Sequence, residues 1–189
     1  RESSDSWFRM WASMSNGIRC VFFSLIGEAK GADLVLDVAA ELPEIEFHFY
    51  GRVEESFRQR FDSGVSGLPN VKYHGVFDSV SGDVLAELNQ YDLHLLPTSW
   101  PNEGVPGVLV ETKIAAVPSI VSNCCHNAEV VDDGVDGVVL KECDAESLRV
   151  AIANLSCNPD CLDGMKFAAL DSAERFYIDR YVDLIVSEL

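Results

Sequence analysis

Two glutamates, Glu103 and Glu111, bracket a short apolar stretch in the segment Glu-Gly-Val-Pro-Gly-Val-Leu-Val-Glu. Gly104, Pro106 and Gly107 are typical of a loop that opens a helix. Proline suits a first helical turn because its missing N–H would have no partner there. The segment therefore predicts a helix that begins between the two carboxylates.

The positions of the two carboxylates suggest different chemistry. Glu111 is predicted on the helix stripe that faces the core, where a half-buried carboxylate needs donors such as a ligand's hydroxyls. The other members of that stripe are Val108, Ile114 and Ala115. Glu103 precedes the helix, where free N–H groups and the positive dipole end favour anions such as phosphates. The alternative is a structural role for both residues, in which Glu103 caps the helix and Glu111 pairs with a core Arg or Tyr. These residues alone do not decide between ligand binding and this structural role.

Apolar runs alternate with amphipathic stretches along the chain, which is typical of successive β-α-β units. Strands are predicted at 19–23, 47–50, 71–74, 92–96, 119–121 and 137–140, and helices at 31–42, 53–61, 80–88, from Pro106 onward, 128–131, 144–155, 162–173 and 177–189. Such connections require parallel pairing and right-handed crossovers. We therefore predict an α/β protein with a doubly wound parallel β-sheet and helices on both faces.

A single Rossmann-like domain is predicted over residues 17–189, after a polar lead-in at residues 1–16 whose Trp7 and Trp11 are expected to cover an exposed surface. Ligands of such sheets bind beyond the carboxyl ends of the strands. The predicted loops at that end are 24–30, 51–52, 75–77, 97–106 and 122–127. The two glutamates lie in and just after the loop 97–106, so this edge is the candidate site.

Composition limits the possible partners. The formal charge of −17 over 189 residues argues against binding nucleic acid or an anionic membrane through a basic surface. A small anionic ligand needs only a local set of N–H groups and one or two cations. The sequence has no transmembrane-length apolar run and no signal peptide at its start, so we expect a cytoplasmic protein. It begins without Met, so we expect a fragment of a longer chain. The six cysteines are expected to be thiols, and without C-x-x-C pairs we expect no metal site.

Several segments occur in an informative order. They are 22–31, which ends in Lys30-Gly31, then 49–51, 71–75, 95–99, the pair Glu103 and Glu111 with E-x7-E spacing, 117–121 and 129–137. In this order they resemble the C-terminal, donor-binding domain of GT-B glycosyltransferases, within the large retaining family that includes sucrose and glycogen synthases. E-x7-E alone is a weak signal, but this ordered set around it is a strong one. The resemblance covers nearly all of residues 19–185.

The resemblance implies a role for each matching residue. Glu103 would approach the donor sugar or the departing diphosphate, Glu111 would accept hydrogen bonds from ribose hydroxyls, and Lys30 would neutralise the diphosphate as it leaves. A lysine beside a helix start is unfavourable unless an anion binds there. The other implied donor contacts are the backbone N–H groups of Gly104, Val105 and Gly107, the nucleobase loop at Gly75 and Val76, and the sugar-facing Cys125 and His126. No metal or other cofactor is implied, because Lys30 and the helix dipole supply the positive charge.

The chain also departs from the family pattern. Leu25 stands where an Arg usually forms the second diphosphate clamp, and losing that contact would remove roughly 1.5–3 kcal/mol. Arg52 is either its substitute or a surface residue. The remaining departures are Ala116 in place of a glycine, Cys125-His126 in place of paired glycines, and Ala128 where proline is common.

The leading hypothesis is therefore the donor-binding half of a retaining enzyme that transfers a sugar from a UDP-, GDP- or ADP-sugar to an acceptor hydroxyl in glycan assembly. Its partner would be an N-terminal acceptor-binding domain, and without that domain this chain alone is expected to be inactive. The same domain could also make a peripheral contact with a membrane. The segment 176–181 resembles the end helix that crosses back to that domain. The alternatives are a degenerate, non-catalytic interaction module and, ranked lower, a sugar-nucleotide epimerase of a related fold.

Overall fold

A computed structural model describes residues 17–102 and 104–177 of the chain. Glu103, Trp7, Trp11 and the predicted helical segment beyond Tyr177 lie outside the described residues. Tyr177 itself has extended backbone, with φ −73° and ψ 130°, so the predicted helix does not begin there.

Six strands form one sheet. They are β1 (Arg19–Phe23), β2 (Glu46–Tyr50), β3 (Val71–Tyr73), β4 (Leu93–Leu96), β5 (Ser119–Ser122) and β6 (Gly137–Leu140). Their order is β3-β2-β1-β4-β5-β6 and all the pairings are parallel. This is the strand order of a doubly wound sheet, and it confirms the predicted fold class.

Seven α-helices connect or follow these strands in the described chain. They are α1 (Ala32–Glu41), α2 (Arg58–Gly67), α3 (Val84–Leu88), α4 (Gly107–Ile114), α5 (Asn127–Val130), α6 (Ala145–Ser156) and α7 (Pro159–Ser172). Short 3-10 turns occupy Glu28–Lys30, Glu55–Phe57 and Ala173–Phe176. Within these ranges no helix has both the length and the apolar character that a membrane crossing requires.

The sheet is covered on both faces because its strands are apolar in both directions. In β1, Cys20 and Phe22 join a large core with residues of α1, α2 and α6, whereas Val21 packs into a second cluster with Leu88 of α3. A third cluster joins Leu109 of α4 to β4, β5 and α5. The helices α3, α4 and α5 therefore lie on the opposite face from α1, α2 and α6.

Two predicted helices begin later than their sequence pattern suggests. Val53 forms an isolated parallel bridge with Ile26, so the helix predicted from 53 gives way to a 3-10 turn and α2 begins at Arg58. The helix predicted from Val80 begins at Val84, because the Asp83 carboxylate caps it by accepting from the N–H groups of Leu85 and Ala86.

Candidate functional site

The loop after β1 and the loop after β4 are fastened to each other at the carboxyl edge of the sheet. The Ala29 carbonyl accepts hydrogen bonds from the Ser99 N–H at 2.9 Å and from the Thr98 hydroxyl at 3.0 Å. Gly31 has φ +77°, and a Cβ added there would lie 2.1 Å from the Pro97 carbonyl oxygen. Only glycine therefore allows these two loops to approach so closely.

The loops after β1, β2 and β3 are linked in the same way. The Ile26 N–H donates to the Arg52 carbonyl at 2.9 Å, and the Gly51 N–H donates to the Gly75 carbonyl at 2.8 Å. Gly51 has φ +142°, and an added Cβ would lie 1.8 Å from the Ser24 carbonyl oxygen. Backbone contacts thus hold the predicted site loops together along the edge.

Helix α4 begins at this edge, directly after the loop that follows β4. Pro106 is its N-cap residue, with φ −67° and ψ 121°, and Gly107 is the first helical residue. Gly104, Val105 and Gly107 are exposed, and a Cβ added to either glycine meets no atom within 4 Å. The backbone at the start of the helix is therefore exposed and uncrowded, as an anion-binding helix start requires.

Glu111 lies one turn into α4, and the predicted orientation of its stripe is wrong in part. The fully buried face of the helix consists of Leu109, Thr112 and Lys113, whereas Glu111 is half-buried at its flank. Within the described residues, no group donates a hydrogen bond to the Glu111 carboxylate, so the predicted alternative of a paired core partner is not seen there.

Lys113 explains the rotation of α4. A lysine in a helical pattern is predicted to face solvent, but the Lys113 side chain is buried. Its Nζ donates to Asp136 Oδ2 at 2.5 Å and to Ser172 Oγ at 2.9 Å. Burial lowers the pKa of the Lys113 ammonium, and the Asp136 carboxylate opposes that shift. The buried pair turns the polar side of α4 inward and moves Glu111 toward the edge.

Two cationic side chains, Lys30 and Arg52, lie on loops at this edge. Lys30 is half-buried in the 3-10 turn Glu28–Lys30, immediately before Gly31, which caps α1. Leu25 is half-buried in the loop between β1 and that turn, and Arg52 is exposed just after β2. The structure thus places Lys30 and Arg52 on neighbouring loops.

Cys125 and His126 follow β5, on the side of the α4 loop. Cys125 has φ +51°, in the left-handed region where glycine is favoured, and its Sγ donates to the Pro101 carbonyl at 3.2 Å. The His126 ring is exposed, and its Nδ1 lies 2.9 Å from Glu129 Oε1. Position 125 therefore keeps a glycine-like backbone while a thiol occupies the space beside the loop.

Gly75 and Val76 lie on the same edge but far from α4. Gly75 has φ +79° and Val76 is exposed. Two strands separate β3 from β4, which corresponds to roughly 14 Å at the usual strand spacing. Only a ligand that extends along the edge can contact both Val76 and the start of α4.

Two contacts at this edge were not predicted. Cys124 Sγ donates to the Trp100 carbonyl at 3.4 Å, and Cys143 Sγ donates to the Pro97 carbonyl at 3.3 Å. Both cysteines follow the carboxyl ends of strands, β5 and β6, and that position was the available signal.

Comparison with known proteins settles the family. The sequence profile of glycosyl transferases group 1 matches residues 17–158. The chain belongs to this family. A relative at the sequence level is an uncharacterized 41.2 kDa protein in the cps region of Klebsiella pneumoniae, which is 26% identical over 133 residues, 69% of this chain and 35% of that protein.

Solved structures agree with the fold of this glycosyl transferases group 1 chain. Anabaena HepE in complex with UDP-glucose superposes with a TM-score of 0.78 and 19% identity, over 100% of this chain and 54% of that one. The C-terminal domain of the group 1 glycosyl transferase LpcC from Francisella tularensis superposes with a TM-score of 0.73 and 13% identity. The match covers 89% of this chain and 90% of that domain. The chain thus has the Rossmann-like fold of one half of a GT-B glycosyltransferase and spans about half the length of HepE.

Two histidines of this glycosyl transferases group 1 chain, His48 of β2 and His94 of β4, are buried within strands, whereas His74 follows β3 and is exposed. His94 is fully buried with its Nδ1 3.0 Å from Ser119 Oγ, and complete burial lowers its pKa to about 3. His48 Nδ1 and His74 Nε2 lie 2.9 Å apart, and burial lowers the pKa of both rings. His48 and His94 lie inside their strands, away from the edge, whereas His74 directly precedes Gly75. Across residues 17–102 and 104–177, no three His, Cys, Asp or Glu side chains converge as a metal site.

Proposed function

We propose that this chain binds the nucleotide-sugar donor of a retaining glycosyltransferase, which transfers the sugar to an acceptor hydroxyl in glycan assembly. The observation that carries the proposal is the exposed, glycine-lined start of α4 at the carboxyl end of β4, with Glu111 one turn away and without a donor among the described residues. Membership of the glycosyl transferases group 1 family and the UDP-glucose complex of the similar HepE structure support a UDP-sugar as the first donor to test.

The chemistry assigned to these residues is electrostatic. As the bond between sugar and diphosphate breaks, negative charge builds up on the departing phosphate. Lys30 and the N–H groups at the starts of α1 and α4 would stabilise that charge without a metal ion, and Glu103 would approach the sugar side. The N–H groups of Gly104, Val105 and Gly107 would cradle sugar and phosphate, as the family resemblance implies.

Two groups of residues would affect how the site binds the diphosphate and which donor it accepts. Leu25 removes the usual second cation, and Arg52 lies exposed on the adjacent loop, where it can take over part of that role. Gly75 and Val76 would contact the base at the far end of an extended nucleotide, while Cys125 and His126 would face the sugar and select against donors that need a glycine surface there.

The whole enzyme would need a second domain. This chain covers 90% of the isolated LpcC C-terminal domain but 54% of HepE. We therefore propose that it is the C-terminal half of a two-domain enzyme, with the acceptor bound by an N-terminal domain. The isolated half is expected to bind donor without turnover.

Titration calorimetry of UDP, GDP and ADP against the chain tests the donor site. One diphosphate, UDP first, is expected to bind, and Glu111→Ala is expected to weaken it at least about tenfold, because hydrogen bonds to a carboxylate contribute roughly 1.5–3 kcal/mol. The matched control is Glu44→Ala, since Glu44 is also half-buried but precedes β2 at the opposite edge of the sheet.

The outcomes separate the alternatives. Loss of affinity in Glu111→Ala with wild-type affinity in Glu44→Ala supports the ribose contact. Equal affinity in both variants would contradict the role of Glu111. Absence of binding by all three nucleotides, in the isolated chain and in the full-length protein, would favour the non-catalytic interaction module instead.

A further inference from the structure

Three cysteine thiols hold the loop that carries the proposed donor contacts. Cys124 donates to the Trp100 carbonyl at 3.4 Å, Cys125 donates to the Pro101 carbonyl at 3.2 Å, and Cys143 donates to the Pro97 carbonyl at 3.3 Å. The first two are adjacent in sequence, and their Sγ atoms lie 3.6 Å apart. The described part of this loop at residues 97–102 is thus attached to the loop after β5 through two neighbouring S–H donors.

We propose that Cys124 and Cys125 are a modification site that a small disulfide such as oxidised glutathione converts to a vicinal disulfide. Cys125 is exposed and Cys124 is half-buried, so the Cys125 thiolate attacks the small disulfide first and releases one thiol. The Cys124 thiolate then attacks Cys125 Sγ and releases the second. Two protein thiols become one disulfide, one small disulfide becomes two small thiols, and both electrons pass to the small molecule.

The geometry allows the disulfide to form and favours its reversal. An S–S bond is about 2 Å long, so rotations of the two side chains must bring the sulfurs roughly 1.5 Å closer. Adjacent residues have Cα atoms about 3.8 Å apart, which is below the usual range for a disulfide. Strained, exposed disulfides are readily reduced, so the bond is a reversible modification and not a structural crosslink.

Oxidation changes the loop as well as the two sulfurs. The disulfide has no S–H, so the hydrogen bonds to Trp100 and Pro101 are both lost. Cys143 still holds Pro97 at the base of the loop. We therefore expect the outer part of the loop to loosen while its base stays in place. The effect on donor binding rests on the proposed function, but the chemistry of the two thiols does not.

The experiment treats the chain with oxidised glutathione and measures the mass of the proteolytic fragment that contains both cysteines. The wild-type fragment is expected to lose two hydrogen masses and to regain them with dithiothreitol. Cys124→Ser and Cys125→Ser are expected to keep only a mixed disulfide or a free thiol. Cys161→Ser is the matched control, because Cys161 is an exposed thiol on α7, away from the edge, and its loss should leave the fragment result unchanged.

Amide hydrogen exchange then reports on the loop. Faster exchange over residues 98–106 in the oxidised wild type, reversed by dithiothreitol and absent in Cys125→Ser, supports the proposal. UDP affinity is expected to fall roughly threefold to tenfold on oxidation. Mixed disulfides or crosslinked dimers without the two-hydrogen loss would overturn the proposal. If UDP binds neither form, the proposed function fails, while the fragment mass still decides the modification site.

Discussion

Ala116 and Cys125 have left-handed backbone, with φ +58° and +51°, in the part of the chain that the structure describes. The family resemblance expects glycine at both positions. The left-handed conformation is less favourable by about 1–2 kcal/mol for a residue with a Cβ. The chain thus keeps the backbone of two glycine turns with side chains that disfavour it.

Ala116→Gly is expected to stabilise the chain by about 0.5–1 kcal/mol. Relief of the left-handed strain exceeds the extra entropy of glycine in the unfolded state, which is roughly 0.5–1 kcal/mol. Urea unfolding measures the change. The control is Ala168→Gly inside α7, where glycine is expected to destabilise by about 0.5–1 kcal/mol. A lower stability of Ala116→Gly would argue against strain at this turn.

At the scale of elements, one buried ion pair joins three parts of the fold. Lys113 of α4 contacts Asp136, which precedes β6, and Ser172 at the end of α7. Asp136 Oδ1 also accepts from the Asp132 N–H at 2.9 Å, so its carboxylate closes the turn before β6. The pair fixes the rotation of α4 and, with it, the position of Glu111.

Lys113→Met is expected to reduce the free energy of unfolding by about 3–5 kcal/mol, because it leaves a buried carboxylate without its partner. Lys166→Met is the matched control, since Lys166 pairs with Asp92 at 2.7 Å but both side chains are partly exposed, and a loss of at most about 1 kcal/mol is expected. Adding Asp136→Asn to Lys113→Met should recover part of the loss. Equal losses in the two single variants would contradict the special weight given to the buried pair.

At the scale of the whole molecule, buried histidines make unfolding sensitive to acid. His94 has a pKa of about 3 in the folded chain, against roughly 6.5 when unfolded, and burial also lowers the pKa of His48 and His74. Between these values the unfolded chain binds more protons than the folded one. This contribution to stability is therefore complete above the unfolded pKa and is lost as the pH falls below it.

The free energy of unfolding is expected to decline from about pH 6.5 downward, with the fully buried His94 contributing a slope that approaches about 1.4 kcal/mol per pH unit. Urea unfolding between neutral and mildly acidic pH measures the slope. His94→Asn should flatten it, whereas His126→Asn should not, because the His126 ring is exposed in the folded chain. An unchanged slope in His94→Asn would mean that other groups dominate the acid response.

Much of the fold could be predicted from the sequence because its signals are local. The apolar runs and the glycines that end them predict the strands, and β1 and β6 have the predicted bounds. Helices joining such strands require parallel pairing, so the edge that carries the candidate site follows from chain order. Glu103 lies outside the described residues, and its role, like the donor contacts of Lys30 and Glu111, stays a prediction.

Only the tertiary structure decided which side of α4 faces the core and which thiols hold the site loop. Lys113 and Asp136 are separated by 23 residues, and Cys143 and Pro97 by 46, so no local pattern contains either contact. A lysine counts as polar in any periodicity until a distant carboxylate makes its burial favourable. The sequence by itself thus determined the sheet and the edge where chemistry is placed, whereas long-range pairing decided the orientation of the groups along that edge.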